Sequence, residues 1–225
     1  MKPLRVLVTG ATGMVGEGVV HECLRHPDVE EVLIINRKAS GMTDGKLTEI
    51  IHGDFYDITP IESQLRGYNA CFFCLGTSSV GMKEEDYYKV TYTLTLHVAE
   101  VLSRLNPEMT FCYISGAGTD STEKGRSMWA RVKGKTENNL MKLPFRRAFA
   151  FRPGFIKPIP GLVRTNAYYK YIGWLFPIGR ALYPAGFCTL PELARALIHV
   201  AKDGYEKSLV EGKDIIQLAE REEQA

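Results

Sequence analysis

The sequence lacks an excess of charge of either sign. Its 225 residues carry 28 Lys and Arg against 26 Asp and Glu, which gives a formal net charge of +2. This near balance argues against nucleic-acid binding through broad phosphate neutralisation. A hydrophobic fraction of 45% with 24% charged residues excludes a disordered chain and suits a globular domain with a real core.

Long hydrophobic runs and a complete cysteine framework are also missing. The sequence has no stretch of about 18 apolar residues, so no transmembrane helix is predicted. The apolar run near the start ends at Thr9 and Gly10, too early for the core of a secretory signal. Five cysteines cannot all pair within one chain, and they indicate a reducing compartment. We therefore expect a cytoplasmic protein without an integral membrane segment.

Short apolar runs alternate with longer helical patterns over the first two thirds of the chain. Strands are predicted at 4–8, 32–35, 49–52, 70–75, 110–114 and 148–151, and helices at 16–25, 61–66, 86–105 and 126–143. The strands show no alternation of polar and apolar residues, so both faces of the sheet are expected to be covered. Strict alternation of strand and helix predicts an α/β fold with a doubly wound parallel sheet.

The last third differs in composition and period, although no linker separates it. We expect a single domain over 1–225, with a platform at about 1–154 and a small, variable C-terminal lobe at about 155–225. A helix at 191–202 is the clearest element of that lobe.

A glycine-rich segment directly follows the first predicted strand and opens the first helix. It reads Thr9-Gly-Ala-Thr-Gly-Met-Val-Gly16. Glycines at this spacing allow a sharp turn and a close approach of backbone N–H groups to a pyrophosphate, which the helix N-terminus also attracts. A tight turn without a ligand is the alternative, but strand, loop and helix together favour dinucleotide binding. The predicted contacts are Gly10, Thr12, Gly13, Met14, Val15 and Gly16.

The second strand ends in Asn36-Arg37-Lys38, where an NAD-specific site usually has an acidic residue for the ribose hydroxyls. Arg37 can instead pair with a 2′-phosphate, so NADP(H) is favoured over NAD(H). Two solvated cations on a turn are the alternative.

Three further strand ends are expected at the same cleft, because ligands of open α/β sheets bind beyond the carboxyl ends of the strands. Asp54 is a candidate for holding the adenine. Leu75, Gly76 and Thr77 follow the fourth strand, where a small residue allows the ribose to approach. Pro153 and Gly154 follow the sixth strand and are expected to shape the nicotinamide pocket.

Together with Ser115, Lys133 and Arg152-Pro-Gly154, these segments resemble the short-chain dehydrogenase/reductase superfamily in its atypical branch. The resemblance is to the Tat-interacting-protein-like group, often called nucleoside-diphosphate-sugar epimerase-like, and it extends from the N-terminus to about Gly154. It implies that Ser115 positions a substrate oxygen and that Lys133 holds the nicotinamide ribose. It also implies a homodimer face on the long helices that begin at Asp86 and Arg126.

The resemblance breaks at one position. In that superfamily a Tyr four residues before the Lys transfers a proton to or from the substrate, and this chain has Trp129 there. An indole N–H donates a hydrogen bond but does not exchange protons near neutral pH. Water, the substrate or a tyrosine of the lobe are the remaining proton sources, and a packing role is favoured for Trp129. The lobe tyrosines are Tyr168, Tyr169, Tyr171 and Tyr183.

We therefore expect an NADP(H)-dependent oxidoreductase of unknown substrate. The alternatives are a catalytically silent NADP(H)-binding redox sensor and a nucleotide-sugar epimerase-like enzyme. No metal site is expected, because Cys71 and Cys74 lie three residues apart on a strand and face opposite sides. The aromatic segment 168–177 is a candidate pocket lid, subunit contact or membrane-surface contact.

Overall fold

The computed structural model describes residues 2–162 and 176–223. Over these residues the strands are β1 (Leu4–Thr9), β2 (Val29–Asn36), β3 (Leu47–Ile51), β4 (Ala70–Phe73), β5 (Thr110–Ile114), β6 (Arg147–Arg152), β7 (Phe155–Lys157), β8 (Phe187–Thr189) and β9 (Leu209–Glu211). The α-helices are α1 (Met14–Arg25), α2 (Glu84–Tyr88), α3 (Leu94–Leu105), α4 (Met128–Leu140), α5 (Phe176–Leu182), α6 (Leu190–Lys202) and α7 (Gly212–Glu223).

Seven of the strands form one parallel sheet in the order β3-β2-β1-β4-β5-β6-β9. The chain builds outward from β1 to β3, then crosses back to place β4 on the other side of β1. This reversal opens a crevice beyond the carboxyl ends of β1 and β4, where ligands of such sheets bind. The predicted doubly wound α/β fold is therefore confirmed. Strands β7 and β8 form a separate parallel pair.

The sheet is apolar on both faces because two cores cover it. Val6 and Val8 of β1 pack on the side of α1, α6 and α7, and Leu7 packs on the side of α3. All three side chains are fully buried. Cys71 and Cys74 belong to opposite cores, as expected for positions three apart on a strand.

Several elements differ in extent from the predicted ones. The helix predicted at 86–105 begins at Glu84 and contains a π-helical turn, Lys89–Thr93, between α2 and α3. The short helix predicted at 61–66 is a 3₁₀-helix, Thr59–Leu65. The fourth strand ends at Phe73 rather than at residue 75, and the backbone at Cys74 and Leu75 lies close against Gly10.

The end of the chain contributes elements that the sequence pattern did not predict. Strand β9 pairs with β6 at the edge of the main sheet, and α7 follows it.

Helix α6 begins behind a capping box in which Thr189 and Glu192 hydrogen-bond each other's backbone N–H. No helix in the described ranges is long and apolar enough to cross a bilayer.

Candidate cofactor and active site

The glycine loop is compact because its glycines contact backbone directly. Gly10 has φ +71°, and a Cβ on it would lie 2.7 Å from the Leu75 nitrogen. A Cβ on Gly16 would lie 2.2 Å from the Gly10 carbonyl oxygen. Gly13 donates its N–H to the same oxygen at 2.9 Å and caps α1 without a side-chain hydrogen bond. The N–H groups in the first turn of α1 are therefore not occupied by a capping side chain and can bind an anion.

A cavity of about 170 Å³ lies at the carboxyl ends of β1, β2 and β4. It brings together seven of the predicted cofactor residues, which are Gly10, Thr12, Gly13, Asn36, Arg37, Leu75 and Gly76. Met14 and Val15 pack instead against the core beside α1, and Gly16 lies against Gly10. Lys38 is exposed and does not line the cavity.

A larger cavity of about 460 Å³ continues from the first and shares Arg37, Phe55, Leu75 and Gly76 with it. Two further predicted residues, Asp54 and Thr77, line it. Sequence reasoning missed its hydrophobic wall, formed by Phe55, Tyr56, Met82, Val90 and Leu94. The adjacency of Phe55 and Tyr56 to Asp54, and the four-residue spacing of Val90 and Leu94, are the available signals. Such a wall suits the face of a flat aromatic ring.

Asp54 and its loop are held by local hydrogen bonds. The Asp54 carboxylate accepts from the Tyr56 backbone N–H at 2.8 Å. The His52 Nε2 lies 2.6 Å from the Asp54 carbonyl oxygen and 2.7 Å from that of Asp57. Because both neighbours are acceptors, Nε2 carries the hydrogen. Asp54 therefore shapes the loop that forms the wall of the larger cavity.

Asn36 and Arg37 have different surroundings at the end of β2. Asn36 is buried, and its amide donates to the Glu49 carboxylate at 2.7 Å, which ties β2 to β3. Arg37 is exposed, lines both cavities and makes no hydrogen bond or ion pair with any residue in the described ranges. Arg37 is thus the cation available to a ligand at this end of the sheet.

Ser115 lies just beyond β5 and is 7% exposed. Its Oγ is 3.0 Å from the Thr119 Oγ1, and Thr119 donates its own hydrogen to the Gly116 carbonyl at 2.8 Å. Because Thr119 has a single hydroxyl hydrogen, Ser115 is the donor to Thr119. The Ser115 hydroxyl is therefore left with acceptor capacity, and it must reorient to donate to a substrate oxygen.

Lys133 reaches from α4 to the end of β5. Its Nζ donates to the Ser115 carbonyl at 2.8 Å and lies 5.6 Å from the centre of the Tyr113 ring. Burial lowers the pKa of Lys133 to about 8, with Glu137 opposing the shift. The structure thus brings Ser115 and Lys133 together, but through the Ser115 backbone rather than its hydroxyl.

Trp129 packs on the loop between β5 and α4. A Cβ on Gly118 would lie 3.5 Å from the indole Cη2. The indole makes no hydrogen bond to a described residue. Of the lobe tyrosines, Tyr183 lines a separate cavity. Tyr168, Tyr169 and Tyr171, with most of the aromatic segment 168–177, lie outside the described residues. Tyr113 is the described tyrosine whose ring lies 5.6 Å from the Lys133 Nζ, and it is buried in the core, which raises its pKa far above its usual value.

Pro153 and Gly154 connect β6 to the C-terminal elements. The Pro153 carbonyl accepts from the Ala117 N–H at 2.9 Å, and a Cβ on Gly154 would lie 2.3 Å from the Gly186 oxygen. Neither residue lines the two cavities described above. Within the described ranges, no group of three or more His, Cys, Asp or Glu converges on a metal position.

The sheet order, the glycine loop at its switch point and the paired Ser and Lys define an NAD(P)-binding Rossmann protein of the short-chain dehydrogenase/reductase type. The chain belongs to the NAD dependent epimerase/dehydratase family, whose model matches residues 6–126, more than half of its length. The superfamily resemblance inferred from the sequence is confirmed.

Curated relatives and solved structures agree with this assignment. The chain is 23% identical over 214 residues to "Protein FMP52-1, mitochondrial" of Scheffersomyces stipitis, covering 91% of each chain. It is 25% identical to "Protein FMP52, mitochondrial" of Saccharomyces cerevisiae, covering 95% of each. The Bordetella bronchiseptica enzyme WbmF in complex with NAD⁺ superposes with a TM-score of 0.67 at 18% identity, covering 98% of this chain and 78% of that one.

The expected cytoplasmic location is wrong, because these relatives are named as mitochondrial proteins. The features on which that expectation rested, the early end of the first apolar run and the odd cysteine count, do not distinguish the cytoplasm from an organelle interior.

Proposed function

We propose that this chain binds NADP(H) and acts as an oxidoreductase whose proton source is not residue 129. The observation that carries the proposal is Arg37, an exposed cation without a described partner at the junction of two cavities. No acidic residue follows Asn36 to accept from an adenosine ribose. A 2′-phosphate would give the guanidinium the bidentate partner for which its geometry is suited.

The residues at the ends of β5 and β6 would hold the reacting end of the cofactor. NADPH, when bound, supplies a hydride. Lys133 is proposed to hold the nicotinamide ribose, since its ammonium lies at the end of β5. Pro153 and Gly154 are proposed to shape the nicotinamide pocket, and Ser115 to position a substrate oxygen after its hydroxyl reorients.

A silent, NADP(H)-binding redox sensor is the second candidate. Two observations favour it, namely Trp129 at the position of the proton-transferring Tyr and the donation of the Ser115 hydrogen to Thr119. A nucleotide-sugar epimerase-like activity is less favoured, because it also needs proton transfer. Assembly as a homodimer through α3 and α4 stays a prediction of the resemblance.

The cofactor proposal is tested by calorimetric titration of the full chain with NADPH and with NADH. We expect NADPH to bind more tightly. Arg37→Gln should weaken NADPH by about thirtyfold, the value of a charge-assisted bidentate contact, and leave NADH unchanged. Lys38→Gln is the matched control, since the neighbouring cation lines neither cavity.

Three results would count against the proposal. They are no NADPH binding at micromolar protein, equal affinity for both cofactors, or equal effects of Arg37→Gln and Lys38→Gln. Turnover separates the two candidate functions. Hydride transfer from NADPH to any member of a carbonyl panel supports the oxidoreductase, and tight binding that distinguishes NADP⁺ from NADPH without turnover supports the sensor.

A further inference from the structure

A third cavity, of about 320 Å³, opens between the carboxyl ends of β5, β6 and β9. It shares no lining residue with the two cavities at the glycine loop. The polar side chains of its wall are those of Arg152, Tyr183, Lys207, Glu211, Lys213 and Asp214. The volume is at the lower end of the range for small-molecule sites, so the ligand must be compact.

Arg152 is a pre-positioned donor in this wall. It is 9% exposed, and its Nε and Nη2 donate to the buried Glu137 carboxylate at 3.1 and 2.5 Å. Its Nη1 lies 3.7 Å from the Glu211 carboxylate, beyond hydrogen-bonding distance, and makes no hydrogen bond to the described part of the chain. Glu137 and the Ser121 hydroxyl, which accepts from Nη2 at 2.5 Å, thus hold the guanidinium. Nη1 is ion-paired with Glu211 but keeps its hydrogens for a ligand acceptor.

Lys213 is a second cation on this wall, and it makes no ion pair with a described residue. It is exposed in the first turn of α7. Lys207 on the same wall is different, because its Nζ donates to the Asp214 carboxylate at 2.7 Å. An ammonium and a guanidinium edge on the wall of one cavity suit a carboxylate, which accepts from two donors at once.

The remaining wall limits the charge of the ligand and favours hydroxyl groups on it. Glu211 and Asp214 are both negative, so they disfavour a dianion such as a phosphate monoester. The Tyr183 hydroxyl and the Glu211 carboxylate can hydrogen-bond ligand hydroxyls. Apart from the Tyr183 ring, the apolar side chains among the described wall residues are the small Ala117 and Ala185.

We propose that this cavity binds a compact, hydroxylated monocarboxylate through the Arg152 guanidinium and the Lys213 ammonium. The assignment of this ligand as the substrate rests on the proposed function. Ala117 and Gly118 belong to the loop that carries Ser115, and Arg152 directly precedes Pro153. The cavity therefore borders the two strand ends proposed to frame the nicotinamide.

The test is calorimetric titration of the full chain with three probes that separate charge from hydroxyls. They are D-glucuronate, D-glucose, which lacks the carboxylate, and cyclohexanecarboxylate, which lacks the hydroxyls. We expect D-glucuronate to bind most tightly. Lys213→Gln should weaken it by about fivefold, the upper value for an exposed ion pair, and Tyr183→Phe should weaken it by a smaller factor.

Lys142→Gln is the matched control, because Lys142 is exposed beyond the end of α4 and outside the cavity. Equal binding of the three probes, binding of none of them at millimolar concentration, or equal effects of Lys213→Gln and Lys142→Gln would overturn the proposal. Titration of NADPH into the same samples separates the two proposals. If D-glucuronate binds as expected but NADPH does not bind, only the proposed function is refuted. If NADPH binds but Lys213→Gln leaves D-glucuronate binding unchanged, only the cavity assignment is refuted.

Discussion

The carboxyl ends of β1, β2 and β4 carry a more complete set of functional groups than those of β5 and β6. At the first group, the glycine loop, the spare Arg37 cation and two joined cavities provide what dinucleotide binding needs. At the second group, Lys133 and Ser115 are present, but Trp129 stands where the superfamily resemblance places the proton donor. Binding of the cofactor and chemistry on it are therefore separable in this chain.

The physical reason is that the two tasks depend on different groups. Pyrophosphate binding uses backbone N–H groups and close packing of glycines, which side-chain changes elsewhere leave intact. Proton transfer depends on one side chain with an exchangeable hydrogen and a suitable pKa. A single replacement can remove the second property and preserve the first.

The largest expected effect is that of Gly16→Ala on cofactor binding. The new Cβ would lie 2.2 Å from the Gly10 oxygen, so the loop must move away from the start of α1. Loss of two charge-assisted N–H contacts to a pyrophosphate corresponds to about a hundredfold weaker NADPH binding. Destabilisation by about 1–3 kcal/mol should accompany it, as for overpacked sites. Calorimetry and thermal unfolding measure the two effects.

Gly45→Ala is the matched control, because a Cβ there meets no atom within 4 Å. Its NADPH affinity and its unfolding midpoint should stay close to those of the parent chain. Unchanged NADPH binding in Gly16→Ala would contradict the assignment of the loop to the pyrophosphate.

Much of the cofactor half could be predicted from the sequence because its signals are local. The apolar run of β1, the glycine loop and α1 follow one another directly in the sequence. Seven of the residues predicted to bind the cofactor line one cavity. Asn36 is the exception within this group. Its amide is engaged by Glu49, thirteen residues further along, and no local pattern shows a contact between neighbouring strands.

The other half could be predicted only in part because its contacts are long-range. Strand β9 is three residues long, and its place beside β6 depends on sheet pairing rather than on period. The donation of the Ser115 hydrogen to Thr119 is local in sequence, but it depends on a loop conformation that no periodic pattern shows. The third cavity joins Arg152 to Lys213, which are 61 positions apart, so no motif of fixed spacing marks it.

An effect of similar size, but without accompanying destabilisation, is expected from Trp129→Tyr, which restores the Tyr-x-x-x-Lys pattern on α4. If the rest of the site is competent, NADPH-dependent reduction of 9,10-phenanthrenequinone should rise by about a hundredfold, the lower value for an added general acid. NADPH affinity should not change, since the glycine loop is untouched. Steady-state NADPH oxidation and calorimetry measure both.

Trp129→Phe is the control for this gain, because it removes the indole without adding a hydroxyl. An equal rate increase in both variants would assign the effect to space rather than to proton transfer. No increase in either variant would show that the second half lacks more than the tyrosine, and it would favour the sensor.

The smallest expected effect is the pH-dependent stability change of Lys133→Met, with Lys135→Met as its control. Burial lowers the pKa of Lys133 to about 8, below the value of an unfolded lysine. Between pH 8 and about 10 the unfolded chain therefore binds more protons, so raising the pH favours the folded parent. Below pH 8, the free energy of unfolding of Lys133→Met should exceed that of the parent chain by about 1–3 kcal/mol, reduced by the loss of the Lys133 contacts with backbone carbonyls. This difference should shrink towards pH 10. Lys135 has a pKa raised by its hydrogen bond to Tyr88, so Lys135→Met should show no such decline. Parallel pH profiles from thermal unfolding of the two variants would refute the burial of the Lys133 ammonium, and with it the contrast between the two halves of the site.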